Sequence, residues 1–305
     1  MKRAFIQLHI AVFLAGFTGI LGKLITLNEG LIVWYRLLIS AVTMWILFSW
    51  SRRIKRISTS DTAKITGVGF LAALHWVCFY GSIKYANVSV GLVCFSAIGF
   101  FTALLEPLIL RRRISLRELL LGLLVMLGIY IIFHFDPRYK TGIAFGLIGA
   151  VLGAMFPVFN RQFMQRMNAE TLMTWELSGG LLCLTAFMPL YFSQFPPAYM
   201  VPNKTDLLWL LVLAWICSVW AFQLSANALK HISAFTVNLT YNLEPLYGIA
   251  LAFLLYHENQ YLSSGFYIGL SIIAFSVLLQ TWLLYRSHSK RPKKLVLPGK
   301  QQISA

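Results

Sequence analysis

The sequence predicts an all-α integral membrane protein, with ten transmembrane helices built as two inverted five-helix repeats. Three observations lead there. The 305 residues are 58% apolar and only 12% charged, with a mean hydropathy of +0.72, whereas a water-facing domain carries about a quarter of its residues charged. The apolar residues fall into runs of membrane-crossing length, roughly 20 residues for a hydrocarbon core about 30 Å thick. The formal net charge of +16 is gathered almost entirely on one side of those runs, which argues for lipid as the partner surface and against nucleic acid.

Taken in order, the runs lie near 4–26, 31–50, 65–84, 88–110 and 116–134 in the first half, and 141–161, 170–192, 207–227, 232–256 and 263–284 in the second. The first follows Met1-Lys2-Arg3 and imitates a secretory leader, but nine further runs and the lack of a small-residue cleavage site favour a retained helix. The second ends at the basic turn Ser51-Arg52-Arg53-Ile54-Lys55-Arg56, and the fourth at Arg111-Arg112-Arg113. The fifth stops at His134-Phe135-Asp136-Pro137-Arg138, the start of a short external linker. In the sixth, Gly142, Gly146, Gly149 and Gly153 recur at helical spacing, giving one face on which another backbone can approach closely. Phe195-Pro196-Pro197 through Pro202-Asn203-Lys204 separates the seventh from the eighth. Such breakers belong in loops, because backbone exposed to lipid must be helical to satisfy its own hydrogen bonds. Beyond the tenth run, residues 286–305 read as a basic, flexible tail near anionic lipid.

With the amino terminus inside, 20 of the 26 lysines and arginines are cytoplasmic, four are external (Lys84, Arg138, Lys140, Lys204), and Lys23 and Arg36 fall within spans. That asymmetry is the positive-inside rule, and it places both termini in the cytoplasm of a multi-pass protein of the inner cell membrane. Cys78, Cys94, Cys183 and Cys217 all sit in apolar stretches and read as small buried hydrophobes, not a disulfide or metal framework.

An internal repeat organises the chain. Trp76 followed by Val88-Ser89, and Trp220 followed by Ile232-Ser233, are related by one shift of 144 positions. Five runs, a linker around 136–140 and five more runs give units at 1–137 and 138–285, with 286–305 as the tail. Because five is odd, the second unit enters the bilayer from the opposite side, which creates a site near the midplane between the halves.

At this point the sequence resembles the drug/metabolite transporter superfamily, specifically its EamA-like permeases. The residues carrying the likeness are Trp34-Tyr35-Arg36-Leu37-Leu38 in the second run, Ser233-Ala234-Phe235 through Leu243-Glu244-Pro245-Leu246 in the ninth, and the closing His257-Glu258. The first half departs from the pattern: Ile114, after three arginines, stands where Glu258 stands in the second, and Glu106-Pro107 lies further along its helix than Glu244-Pro245. The resemblance implies movement of small metabolites, often amino acids, without naming one.

Ionised side chains inside a span cost about 2.5–3.5 kcal/mol on insertion scales, so those present should face a cavity or a partner. Glu244 is the leading candidate: eleven residues past Ser233, it lies near mid-bilayer in a continuous helix, on one face with Tyr241 and Gly248. It could bind an amine, carry a proton or simply pack. Arg36, Trp76 and Tyr80, with Trp220, Gln223 and Asn227 on one face of the eighth run and Asn238 in the ninth, complete the expected substrate-binding or coupling set. Glu106, Glu176 and Lys23 are read as gate or ion-pair residues, and Lys23 could instead snorkel to water. No catalytic residue, cofactor or metal is expected. Gly16 to Gly22-Lys23 lacks the spacing and the hydroxyl of a phosphate loop, no aspartate pair lies inside a run, and neither H-E-x-x-H nor G-x-S-x-G occurs. The expected partners are a small-molecule substrate and the bilayer, with protons optional, nucleic acid excluded and the choice of monomer or homodimer open. Amino-acid or related efflux by alternating access leads; a non-transporting receptor or scaffold and an importer or exchanger of anionic metabolites are the alternatives.

Overall fold

Hydropathy dictates helices, and helices are what the computed structural model contains. It describes residues 2–135, 137–229, 231–232, 237 and 240–289, and among them there is no strand. In the first half, α1 is Lys2–Leu24, α2 Glu29–Trp50, α3 Thr59–Tyr85, α4 the two segments Val88–Phe95 and Ile98–Leu110, and α5 Leu116–Phe135. In the second, α6 is Lys140–Phe163, α7 Ala169–Gln194, and α8 the run Lys204–Leu211, Val212–Trp220 and Ala221–Leu229. Next come α9, Glu244–Tyr256, and α10, Ser264–Ser289. Eight of the described helices are long and apolar enough to cross a membrane.

Polar residues at the run ends act as caps, which is why the helices begin where they do. Asn28 accepts from the Gly30 amide at 2.8 Å, Asn87 from Val90 at 2.8 Å and Asn203 from Asp206 at 2.8 Å, each satisfying an amide that the helix itself cannot. Outward-facing apolar side chains such as Trp50, Ile46, Leu108, Leu182, Leu254 and Phe275 are largely exposed, the surface that acyl chains cover in a bilayer.

Helix packing is set by small residues. A Cβ on Gly128 would lie 2.7 Å from the Gly269 carbonyl oxygen, so α5 and α10 meet backbone to backbone. Gly16 meets Glu244 and Gly248 in the same way, joining α1 to α9, and Gly180 meets Gly69, joining α7 to α3. The expected glycine face of α6 packs on α3 and α4, where Gly146 abuts Ser82 and Cys94, and Gly149 and Gly153 abut His75. Further contacts join α2 with α7, α4 with α9, and α2 with α8.

Three departures from regular helix matter for the site. First, α4 is interrupted by a turn at Ser96 and Ala97 before a thirteen-residue segment that ends in a left-handed Arg111, φ 51°. Second, α9 repeats that pattern: a turn at Asn242 and Leu243, thirteen residues, then a left-handed His257, φ 52°. Third, the middle of α8, Val212–Trp220, is a π-helix. Glu244 therefore opens a helix just past a turn; the sequence placed it inside an unbroken one. Pro245, in the first turn of α9, is a local sign of a helix start there, whereas no proline marks the turn at Ser96 and Ala97.

Candidate functional site

The side chains that the sequence singled out fall into three groups. In the interior, α2 supplies Arg36, only 6% exposed. Its Nη1 donates to the Tyr80 hydroxyl at 3.0 Å, its Nε donates to Ser218 Oγ at 2.9 Å, and its guanidinium carbon lies 4.1 Å from the centre of the Trp76 ring. Tyr80 and Trp76 are four apart on α3, which puts both on one face. The π-helix places Ser218: its hydroxyl donates to the Leu213 carbonyl five residues back at 2.9 Å, leaving the oxygen free to accept from Arg36. These partners of the guanidinium are all neutral, and among the described residues no carboxylate lies within ion-pair distance of it. Glu244 stands at the start of α9, with its backbone oxygen against Gly16 of α1.

Tyr241 sits on the other side of the turn from Glu244. Its hydroxyl is 2.7 Å from Ser225 on α8, and with Leu243 and Tyr247 it packs against the buried cluster that includes Leu8, Val12 and Ala228. Gly248, expected on the same face, packs instead against Leu92 and Gly16. On α8, Gln223 Nε2 is buried without a hydrogen-bond partner among the described residues, while Trp220, at the end of the π segment, is half exposed. Asn227 is partly buried. Asn238 lies outside the described residues, as do Ser233, Asp136 and the tail from 290 onward.

The end of the bundle where α1 finishes and α4 begins, called here the far end, carries a dense polar network. Lys23 Nζ is 2.9 Å from Glu258 and 4.2 Å from the centre of the Tyr256 ring. Glu258, 4% exposed, also accepts from the amides of Val88 at 3.2 Å and Ser89 at 2.9 Å and from the Ser89 hydroxyl at 2.7 Å. Glu29 accepts from Tyr191 at 2.5 Å and Tyr85 at 3.4 Å. Asp206 accepts from the Thr26 amide at 2.7 Å, the Thr26 hydroxyl at 2.8 Å, Tyr199 at 3.1 Å and Asn203 at 3.1 Å. These contacts tie the far ends of α1, α2, α3, α4, α7, α8 and α9 together.

The opposite end, where the N terminus lies, is held by ion pairs between loops and helix ends. Arg161 is 3.1 Å from Glu106, Arg166 is 3.3 Å from Asp61, and Arg53 is 3.5 Å from Glu170. Glu176, 4% exposed, accepts from the Asn160 side chain at 3.0 and 2.9 Å. Of the three gate candidates, Glu106 and Lys23 thus have ion partners and Glu176 has an amide. Sequence reasoning passed over Ser218, Glu29, Ser89, Asn160 and Asp206. These are uncharged or stand at a span border, and most of their partners are distant in sequence. Glu258 was noted there only for closing the ninth run.

The sequence pattern of the EamA-like transporter family matches residues 2–134 and again 140–280. An uncharacterized transporter of Haemophilus influenzae is 22% identical over 271 residues, 83% of this chain and 85% of that protein. An uncharacterized transporter of Archaeoglobus fulgidus is 26% identical over 139 residues, 44% of this chain and 49% of the relative. Among solved structures, a protein described only as such shares the fold with a TM-score of 0.62 at 17% identity, covering 94% of this chain and 99% of its own.

Proposed function

The chain belongs to the EamA-like transporter family, and from that premise we propose that it exports a zwitterionic amino acid or a related small metabolite by alternating access. The observation carrying this reading is Arg36, a buried cation engaged by Ser218, Tyr80 and Trp76, with no carboxylate at ion-pair distance among the described residues. A cation kept out of water with only neutral partners is several kcal/mol less favourable than one facing an anion. A substrate carboxylate on the guanidinium relieves that cost, and an ammonium on the same molecule completes the charge pairing at Glu244. Trp76 offers an aromatic face beside them, and Tyr80, Tyr241, Trp220, Gln223 and Asn227 fill out the lining.

We read residues 1–137 and 138–285 as the two halves of an inverted repeat of ten spans, with 286–305 as a cytoplasmic tail. Supporting this, the α4 segment Ile98–Leu110 and α9 have equal length, begin after two-residue turns and end in left-handed residues. The contacts α2 with α7, α4 with α9 and α5 with α10 join equivalent members of the two halves. Broken helices at the centre of such repeats are where transporters bind solutes. Rocking of the halves then requires the Lys23–Glu258 cluster and the Glu106–Arg161 pair to open in alternation, each closing one end. The charge asymmetry supports an inner-membrane location with both termini cytoplasmic. Export, and coupling to protons through a buried carboxyl, complete the proposal.

An importer or exchanger of anionic metabolites is the second reading, favoured by the same arginine without a carboxylate partner. Reconstituted proteoliposomes loaded in turn with amino acids, amines and dicarboxylates test all of these by counterflow at two pH values. Exchange of zwitterionic amino acids is expected. Exchange of dicarboxylates alone selects the second reading, and no counterflow with any class leaves a receptor or scaffold.

A further inference from the structure

The interior carboxylate least explained by the substrate site is Glu176. It lies seven residues into α7, on the N-terminal side of the bundle, and is 4% exposed. Among the described residues its hydrogen-bonding side chain is Asn160 of α6, whose single amide nitrogen is shared by both carboxylate oxygens at 3.0 and 2.9 Å. The other half of that amide, Asn160 Oδ1, is buried with no donor among the described residues. A carboxylate with four acceptor positions and one shared donor, facing an orphaned acceptor, is poorly matched. No cation among the described residues compensates it. From α6 the nearest charge in sequence is Arg161, which is turned to Glu106 of α4. From α3, Gly69 and Gly180 of α7 seal the neighbouring backbone, Thr66 packs on Gly179, and His75 is engaged by the Gly149 carbonyl at 2.7 Å. From α2, Trp45 donates to Ser178 and stacks edge-on against Trp175. On α7 itself, Glu170 faces Arg53 and Asn168.

Adding one proton repairs every mismatch. A carboxylic acid and a primary amide form a closed ring of two hydrogen bonds: the acid hydroxyl donates to the amide oxygen and the amide nitrogen donates to the acid carbonyl. A small rotation of the Asn160 side chain lets Oδ1 take the acid proton while Nδ2 keeps one oxygen. The neutral pair then has no orphaned acceptor and no unpaired charge in a membrane interior, where either costs several kcal/mol. We propose that Glu176 and Asn160 form a proton-binding site, occupied at neutral pH, separate from the Arg36 and Glu244 site. Its place is mechanically useful. Asn160 and Arg161 are adjacent at the end of α6, so the residue clasping Glu176 of α7 neighbours the one paired with Glu106 of α4. Loss of the proton loosens the first clasp next to the second. This deepens the coupling part of the transport proposal and rests on it for its purpose, though not for its detection.

Infrared difference spectra of the purified, reconstituted protein at neutral pH, without substrate, decide the matter. The spectrum of wild type minus Glu176→Gln is expected to contain the carbonyl stretch of a protonated carboxylic acid, shifting to lower frequency in D2O. Carboxylate stretches in its place overturn the proposal. The side-chain amide that this substitution introduces can form the same ring with Asn160, so the variant is expected to fold with unchanged thermal stability. As a second probe, Asn160→Leu is expected to move the acid band to higher frequency by removing the amide that donates to its carbonyl, and an unmoved band overturns the ring. A protein that moves no solute still gives these spectra, so failure here and failure of the transport reading are separate results.

Discussion

Glu258 accepts two hydrogen bonds from Ser89, one from the backbone amide at 2.9 Å and one from the hydroxyl at 2.7 Å, so the C-terminal end of α9 caps the N terminus of α4. The two residues are 169 positions apart, and the contact fastens the second half of the chain to the first. A buried carboxylate at a helix N terminus satisfies amides that nothing else can reach and complements the helix dipole. Lys23 adds charge pairing, but its side chain is 39% exposed.

Those exposures set the sizes of two substitutions. Glu258→Ala strands the buried Val88 and Ser89 amides and should cost about 1–3 kcal/mol of stability, the penalty for unpaired buried donors. Lys23→Met removes a half-solvated ion pair and should cost less than about 1 kcal/mol. Thermal unfolding in detergent measures both, and equal losses would assign the stability to the ion pair instead of the cap.

This contact also marks where the sequence stopped being legible. The spans were readable because lipid imposes one solution on the backbone: a run such as 31–50 has to be a helix, and α2 occupies Glu29–Trp50. Arg36 stood out for the same reason, as a charge in such a run. Its partners did not. Ser218 reaches it through a π-helix, and Val212–Trp220 carries no glycine or proline to announce one. Pro245 marks the start of α9 locally, but no proline stands at Ser96 or Ala97 to mark the matching break in α4. Glu258 was visible as a helix-ending carboxylate, yet its use as a cap for α4 exists only once the halves have met.

Arg36→Lys is expected to weaken substrate binding with little loss of folded protein. Lysine keeps the charge but cannot span Tyr80 and Ser218 with a planar fork or lie flat on Trp76. Hydrogen bonds to a charged group contribute about 1.5–3 kcal/mol, so the half-saturating concentration in proteoliposome counterflow should rise about tenfold or more. A wild-type value would remove Arg36 from the proposed site.

The glycine contacts make predictions of opposite sign. At Gly128 a methyl group would sit 2.7 Å from the Gly269 carbonyl oxygen and 2.8 Å from Ile273 on α10, with backbone on the far side unable to yield. Gly128→Ala should therefore destabilise the protein by about 1–3 kcal/mol, the usual cost of overpacking. At Gly67, near the start of α3, nothing lies within 4 Å of the same methyl. Gly67→Ala should instead stabilise the protein by about 0.4–1 kcal/mol by restricting the unfolded chain. Unfolding midpoints of the two variants, compared in one detergent, check the contrast.

Glu244→Gln separates the substrate role of this carboxyl from a packing role. Its backbone carbonyl is pressed against Gly16, and glutamine changes none of that contact, so helical content and unfolding should match wild type. If the ammonium of a zwitterionic solute is held there, replacing the acid by an amide removes the acidic group that would pair with it. Counterflow of zwitterionic amino acids should then fall by at least about tenfold, since a charge-assisted hydrogen bond contributes about 1.5–3 kcal/mol. Solutes that carry a carboxylate but no amine should be affected far less, because Arg36 still has its anion. Equal loss for both classes would mean that Glu244 organises the helix break at Asn242 and Leu243 and does not read the solute. Unchanged flux for both, at either pH, would place the amine elsewhere.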